Sequence, residues 1–175
     1  MNIEIKRATV AEAEYIALLA RVTFREAFAK DAWTDDAVLR DYLSATFSVE
    51  KIRASIAKEN NVYWVAFADG LPAGYAKLKK FSPYEKLDDD SPAQLQKIYV
   101  LNDLIGNRIG EKLQNALFDT VAGHNIRTLW LAVWDKNDKA IRFYERHGFR
   151  KETKYHYDYK TMSFDYEVMV KTFQP

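Results

Sequence analysis

The sequence predicts an α/β protein built on a mixed β-sheet. Its apolar patterns follow the order of one strand, three helices, three strands, a helix, a strand, a helix and two strands. Helices separate the middle strands, which predicts parallel neighbours joined by right-handed crossovers. Hairpins on either side add antiparallel strands and make the sheet mixed. Because the 175 residues contain no repeat or linker, we expect one domain over residues 1–175.

The N-terminal third predicts one strand and three helices. Ile3 and Ile5 alternate with charged residues, which indicates a short strand. Thr9 and Glu12 have the spacing of a capping box, a common start of a helix. Apolar residues then recur at helical spacing over residues 10–28, 36–47 and 49–59.

The remaining chain alternates between strand and helix patterns. Aromatic and β-branched residues at 62–67, the turn pair Asp69-Gly70 and residues 74–78 predict a hairpin. Two prolines and three consecutive aspartates make residues 81–92 a loop. Further strands are predicted at 95–101, 128–134, 149–157 and 164–173, and further helices at 110–123 and 138–147.

Composition excludes several classes of function. The 26 basic and 25 acidic residues give a net charge of +1, which does not support nucleic-acid binding. Apolar runs are too short for a membrane span, and charges interrupt the first seven residues, so we expect a cytoplasmic protein without a signal peptide. The absence of cysteine excludes disulfides and a cysteine nucleophile. The histidines lack metal-ligand spacing, and we expect no metal.

Two clusters of residues are candidates for chemistry. A short polar loop with glycines leads from the strand at 95–101 into the helix that begins near Gly110. The amides and dipole of such a helix N-terminus favour an anion, although a glycine pair there also serves simple packing. In the second cluster, Asn137 or Asp138 is placed to cap a helix that carries Phe143 and Tyr144. From these residues alone, capping and packing are sufficient explanations.

Together, in this order and separation, the two clusters resemble the signature motifs of the GCN5-related N-acetyltransferase (GNAT) superfamily. The first motif, Gln/Arg-x-x-Gly-x-Gly/Ala, aligns with residues 105–110, where Gly110 matches while Ile105 and Arg108 depart from the pattern. The second motif, Asn-x-x-Ala-x-x-Phe-Tyr-x-x-x-Gly-Phe, is matched by Asn137, Ala140, Phe143, Tyr144, Gly148 and Phe149.

The resemblance implies a GNAT-like fold, in which a largely antiparallel mixed sheet has a central parallel, splayed strand pair and flanking helices. It implies an N-acetyltransferase that uses acetyl-CoA, with Tyr144 as the general acid that protonates the leaving thiolate. The residues that it assigns to acetyl-CoA are Ile98, Tyr99, Val100, Ile105, Gly106, Asn107, Arg108, Ile109, Gly110, Glu111 and Asn137.

Softer similarities over residues 96–100, 130–134 and 156–169 point to the bacterial spermine/spermidine N-acetyltransferases (PaiA-like), so a polyamine is the expected acceptor. Two alternatives stay open: a peptide or protein N-acetyltransferase, and a CoA-binding regulator without catalysis. We expect neither nucleic acid nor membrane as a partner, and a homodimer stays open as the assembly.

Without cysteine no Cys acyl-enzyme can form, so direct transfer in a ternary complex is expected. The acceptor must first lose a proton, since the pKa of an alkylamine is about 10. Many relatives carry a glutamate on the strand that here holds Gln94 and Gln96, and neither glutamine can act as a base. The remaining candidates are a water chain, Glu26, Glu85, His156 and Asp165.

Overall fold

A computed structural model describes residues 1–174, which contain seven strands and five α-helices. The strands are β1 (Ile3–Arg7), β2 (Asn61–Ala68), β3 (Leu71–Lys79), β4 (Ala93–Val100), β5 (Thr128–Trp134), β6 (Arg150–Tyr159) and β7 (Met162–Thr172). The helices are α1 (Ala13–Phe28), α2 (Asp36–Thr46), α3 (Val49–Ile56), α4 (Ile109–Gly123) and α5 (Asp138–Arg146). The predicted order of elements is confirmed.

The strands form one sheet in the order β1-β2-β3-β4-β5-β7-β6. The pairs β1–β2, β5–β7 and β6–β7 are antiparallel, whereas β4 and β5 are parallel. Within residues 1–174, the parallel pairing joins only Ala93 to Leu129 and Gln94 to Trp130, although both strands continue. This largely antiparallel sheet with a short central parallel pair confirms the predicted fold class.

Several predicted boundaries move where local backbone geometry decides them. Val10–Glu12 form a 3-10 turn ahead of α1, because Thr9 and Glu12 close the capping box there. β6 reaches Tyr159, beyond the predicted end at residue 157, since Lys160 adopts the left-handed conformation (φ 52°) that a tight hairpin turn requires. A second 3-10 turn, Asn102–Leu104, was not predicted.

Contacts divide the chain into two compact units. The first unit comprises Met1–Leu78 and Lys97–Asp119. Within it, β1 pairs with β2 along its full length. Beside α1, the ring of Phe24 lies 5.5 Å from that of Trp33 and 5.8 Å from that of Phe47 between centroids. Aromatic packing therefore supplies much of the core around α1 and α2.

The second unit comprises Lys79–Gln96 and the chain from Thr120 onward. Its central strand, β5, pairs along its full length with β7, and β7 forms a long hairpin with β6. The indole N–H of Trp130 donates to the carbonyl of Ser82 at 2.8 Å, and Tyr84 stacks on the same indole at 5.1 Å between centroids. These contacts attach the loop at residues 81–92 to β5.

Within residues 1–174, no helix combines the length and apolarity that crossing a bilayer requires. The same residues contain no group of three or more His, Asp or Glu side chains placed to hold a metal ion. The rings of His124 and His147 lie 2.8 and 2.7 Å from the carbonyls of Thr120 and Phe143, one helical turn earlier. Each histidine ring therefore contacts a carbonyl in the last turn of the helix before it, α4 for His124 and α5 for His147.

Candidate active site

In the first unit, β4 leads through a turn into α4, which begins at Ile109. The carbonyl of Arg108 accepts the amide N–H of Lys112 at 3.1 Å, so Arg108 directly precedes the first helical turn. The amides of Ile109 and of the two residues after it therefore have no carbonyl partner within the helix. Together with the helix dipole, such amides favour a bound anion.

Two residues in this turn have the left-handed backbone conformation, Gly106 with φ 95° and Arg108 with φ 60°. Arg108 stands where the GNAT motif has its first glycine, and this conformation explains that preference, because a side chain there costs about 1–2 kcal/mol. The space beside Gly106 is open, since an added Cβ would have no atom within 4 Å. Ile105 and Arg108 are both exposed, so the departures from the motif lie at the surface.

β4 presents backbone groups on the side that β3 does not use. The amide of Leu101, directly after β4, donates to the carbonyl of Ala73 at 3.0 Å. Because backbone groups alternate along a strand, the amides of Ile98 and Val100 point away from β3. These two residues, both assigned to acetyl-CoA by the resemblance, therefore have backbone groups directed to the other side of the strand.

Aromatic rings surround Tyr99 in the first unit. The Tyr99 ring stacks on Tyr75 of β3 at 5.9 Å and meets Phe28 of α1 edge-on at 6.2 Å between centroids. Tyr75 is buried, whereas Tyr99 and Phe28 are half-buried, and half-buried aromatic faces suit an alkyl chain or an ammonium group. We call the whole set the aromatic cluster, and it consists of Phe24, Phe28, Trp33, Tyr42, Phe47, Tyr75 and Tyr99.

In the second unit, Tyr144 lies buried on α5. Its ring is 5.4 Å from that of Phe143 and 5.6 Å from that of Phe149 between centroids. Burial raises the pKa of the Tyr144 phenol well above its ordinary value. The hydroxyl therefore keeps its proton at neutral pH, as a proton donor must.

Asn137 caps α5. Its side-chain oxygen accepts the amide N–H of Ala140 at 3.1 Å. Of the two residues that the sequence offered for this role, Asn137 is thus the cap. Its contact with the CoA arm stays a prediction.

Three of the candidate bases have other partners. The Glu26 carboxylate accepts the amide N–H of Asn102 at 3.0 Å. His156 lies between two carboxylates, with Nδ1 2.8 Å from Asp165 and Nε2 3.0 Å from Asp158. These contacts, the Asp165 hydrogen bond first, raise the pKa of His156. The two carboxylates thus favour the protonated ring, which reduces the fraction of neutral imidazole that could act as a base.

The carboxylates near α2 also have structural partners. Asp35 accepts two amide N–H groups of the first turn of α2 and is its N-cap. Asp36 lies 2.9 Å from Arg25 and 3.2 Å from Arg40. Both carboxylates therefore stabilise the start of α2.

The strand order, the helix N-terminus after β4 and the second motif on α5 define an acetyltransferase. The acetyltransferase (GNAT) family model matches residues 25–149, and the chain belongs to this family. An uncharacterized N-acetyltransferase of Lactobacillus delbrueckii subsp. lactis is 27% identical over 138 residues, which are 79% of this chain and 78% of that protein.

Two further similarities concern more specific relatives. The crystal structure of a PaiA N-acetyltransferase from Thermoplasma acidophilum in complex with coenzyme A has a TM-score of 0.79 and 21% identity, over 99% of this chain and 100% of that one. A protein of Bacillus subtilis subsp. natto named probable spermine N(1)-acetyltransferase is 25% identical over 103 residues, which are 57% of this chain and 68% of its own.

Proposed function

We propose that the enzyme transfers the acetyl group of acetyl-CoA directly to a small primary amine, with spermidine or spermine as the favoured acceptor. It acts in the cytoplasm, without a metal, as one domain over residues 1–175. The observation that carries the proposal is the turn between β4 and α4. There the amides of Ile109, Gly110 and Glu111 have no helical partner, and Gly106 leaves open space.

The pyrophosphate of acetyl-CoA binds at this first turn of α4, with backbone amides as its donors. The side-chain amide of Asn107 donates to the carbonyl of Leu104 at 3.0 Å and so shapes the turn from within. Arg108 is exposed at the same turn and adds a positive charge near the phosphates. The coenzyme A complex of the Thermoplasma relative supports this assignment.

Transfer needs an oxyanion donor and a proton for the leaving sulfur. The amide of Val100 or Ile98, which β3 does not use, stabilises the oxyanion of the tetrahedral intermediate. Tyr144 donates its phenolic proton to the departing sulfur. Because its pKa lies above the value of about 8.5 for a thiol, it gives up this proton only while it takes another from the attacking nitrogen. Tyr144 thus relays a proton rather than losing one.

The polyamine acceptor rests on two supports. The relative from Bacillus subtilis subsp. natto carries spermine in its name, and the Thermoplasma relative is a PaiA enzyme. The half-buried members of the aromatic cluster, Phe28, Tyr42 and Tyr99, offer ring faces to an alkylammonium chain, each such contact being worth about 0.5–2 kcal/mol. Since Asp35 and Asp36 are engaged with α2, aromatic faces are the better candidates for recognition there.

Thiol release from acetyl-CoA tests the proposal across a panel of spermidine, spermine, short diamines, aminoglycosides and peptides. We expect the largest kcat/KM for the polyamines. Release with peptides alone would favour the peptide N-acetyltransferase. The CoA-binding regulator would be favoured if no acceptor gave thiol release. CoA at a hundred times its Kd should then still stabilise the fold by about 2.7 kcal/mol.

The role of Tyr144 is tested by Tyr144→Phe, which removes only the hydroxyl. We expect slower turnover with unchanged acetyl-CoA affinity. Tyr15→Phe removes a hydroxyl from an exposed tyrosine of α1 and is the matched control, with turnover expected to match that of the wild type. Unchanged turnover in Tyr144→Phe would contradict the proton relay.

A further inference from the structure

Lys97 of β4 lies beside Tyr99 on the face that carries the aromatic cluster. The two residues are two positions apart, so their side chains point to the same face of the strand. The Lys97 Nζ lies 5.6 Å from the centroid of the Phe47 ring. Lys97 as a whole is half-buried.

The surroundings of Lys97 favour the neutral amine. Burial lowers its pKa to about 8, and no neighbouring charge contributes to this shift. The titratable side chains of α2, β2 and β3 are Asp36, Arg40, Asp41, Tyr42, Tyr63, Tyr75, Lys77 and Lys79, of which Asp36, Arg40 and Asp41 are exposed. Lys77 lies over the Tyr63 ring at 5.3 Å. On α1, Glu26 is exposed and accepts the amide of Asn102.

We infer that the Lys97 amine is the base that takes a proton from the acceptor ammonium before acetyl transfer. This inference rests on the proposed function. The strand that carries glutamate in many relatives holds Gln94 here, and the Gln94 side-chain oxygen accepts the hydroxyl of Ser82 at 3.0 Å. Side chains three positions apart point to opposite faces of a strand, so Lys97 does not take the place of Gln94; it supplies a basic group on the face that carries the aromatic cluster.

The acceptor enters as the ammonium R–NH3+, whose nitrogen carries three protons. One proton passes to the neutral Lys97 amine, which later returns it to water. The resulting R–NH2 forms the new C–N bond at the thioester carbonyl as the C–S bond breaks. A second proton leaves the nitrogen and reaches the sulfur, and the third stays on the amide product.

The pKa of the proposed base suits this step. A base whose pKa lies near the working pH is partly neutral and still strong enough to accept a proton. An alkylammonium with a pKa of about 10.4 is a weaker acid than the Lys97 ammonium, so the transfer is uphill by about two pKa units. The acetyl transfer then consumes the free amine, and this drives the unfavourable proton transfer to completion.

A titration that needs no activity comes first. Lysine labelled with 13C gives Cε signals by NMR, and the Lys97 signal is the one lost in Lys97→Met. We expect its midpoint near pH 8, against about 10.4 for the lysine of a model peptide measured in the same way. A Lys97 midpoint equal to that of the model peptide overturns the inference.

Kinetics on two kinds of acceptor test the role in turnover. With spermidine at pH 7.5, Lys97→Met should lower kcat/KM by about 100-fold or more, the usual effect of losing a general base. It should also lose the rise in rate through about pH 8. Lys97→Arg should be similarly slow, because arginine does not release its proton. Lys58→Met should match the wild type.

An acceptor that is already neutral at the assay pH, such as a hydrazide, needs no base. With it, Lys97→Met should lose only a few-fold in rate. Equal losses on both acceptors, or an Arg variant as fast as the wild type, would indicate a packing or charge role and overturn the inference. If the wild type is inert with every amine, the proposed function fails and the base with it. If the wild type is active and Lys97→Met is unchanged, the base alone fails.

Discussion

The carboxylate of Glu26 on α1 accepts the backbone N–H of Asn102 at 3.0 Å, across 76 residues of sequence. Asn102 begins the 3-10 turn that carries the chain from β4 toward α4. The contact therefore fixes one end of the proposed pyrophosphate turn to α1. It gives Glu26 a positioning role, in place of the role of general base that the sequence left open.

Glu26→Ala should weaken CoA binding about five-fold, because an exposed hydrogen bond to a carboxylate contributes about 1 kcal/mol. Glu26→Gln keeps an oxygen that can accept the same N–H, and its affinity should stay within two-fold or so of the wild type. Calorimetric titration with CoA measures both values. If Glu26→Gln binds CoA normally and yet loses turnover, Glu26 is the base and the positioning role is wrong.

Arg108 gives a second prediction, since it holds a left-handed conformation that glycine adopts without cost. Arg108→Gly should be more stable than Arg108→Ala by about 1 kcal/mol, because alanine keeps the strain. The greater freedom of glycine in the unfolded chain reduces this gain. Urea unfolding compares the two variants, and equal stabilities would show that the strain is small.

The same pair of variants tests the charge of Arg108. If the side chain reaches a CoA phosphate, Arg108→Ala and Arg108→Gly should both weaken CoA binding, and the loss should shrink as salt is added. If CoA binding by both variants depends on salt as it does in the wild type, the Arg108 side chain does not contact a CoA phosphate. Affinity measured at two ionic strengths separates these outcomes.

The sequence predicted those features of the fold that depend on local periodicity and capping. Thr9 and Glu12 form the predicted capping box, and Asn137 caps α5 as its position suggested. The contact between Glu26 and Asn102 and the burial of Lys97 could not be predicted, because both depend on residues distant in sequence. A signal for Arg108 was present, since a residue that replaces a motif glycine indicates an unusual backbone there.

Gly74 of β3 supports a third prediction. A Cβ at this position would lie 2.6 Å from the carbonyl oxygen of Tyr99 and 3.2 Å from the Cα of Val100. Gly74→Ala must therefore displace the backbone of β4 where the oxyanion donor is proposed. We expect a loss of about 1–3 kcal/mol in the free energy of unfolding and a fall in kcat larger than any change in KM.

Gly123 is the matched control for this substitution. It ends α4, and an added Cβ would have no atom within 4 Å. Gly123→Ala should leave turnover unchanged and stability equal or slightly higher, by up to about 1 kcal/mol. If Gly74→Ala is as well tolerated as Gly123→Ala, the close approach of β3 to β4 does not constrain the site.

Glu12 supports a prediction on pH. Its side chain is only 7% exposed and lies 2.7 Å from the Lys6 ammonium, and it also accepts the amide of Thr9. The hydrogen bond from Lys6 is the largest cause that lowers the pKa of Glu12, from 4.5 to about 2. A carboxyl with a lowered pKa in the folded state stabilises the fold fully above its unfolded pKa. This stabilisation is lost as the pH falls from about 4.5 to about 2.

Glu12→Gln should therefore be less stable than the wild type at pH 7, by at most about 3 kcal/mol, and the difference should narrow below pH 4.5. Urea unfolding at several pH values between 2.5 and 7 measures the convergence. Glu14→Gln, which changes an exposed glutamate in the first turn of α1, is the control for the loss of one carboxylate. If the difference in the free energy of unfolding between Glu12→Gln and the wild type stays constant with pH, protonation of Glu12 does not cause the loss of stability in acid.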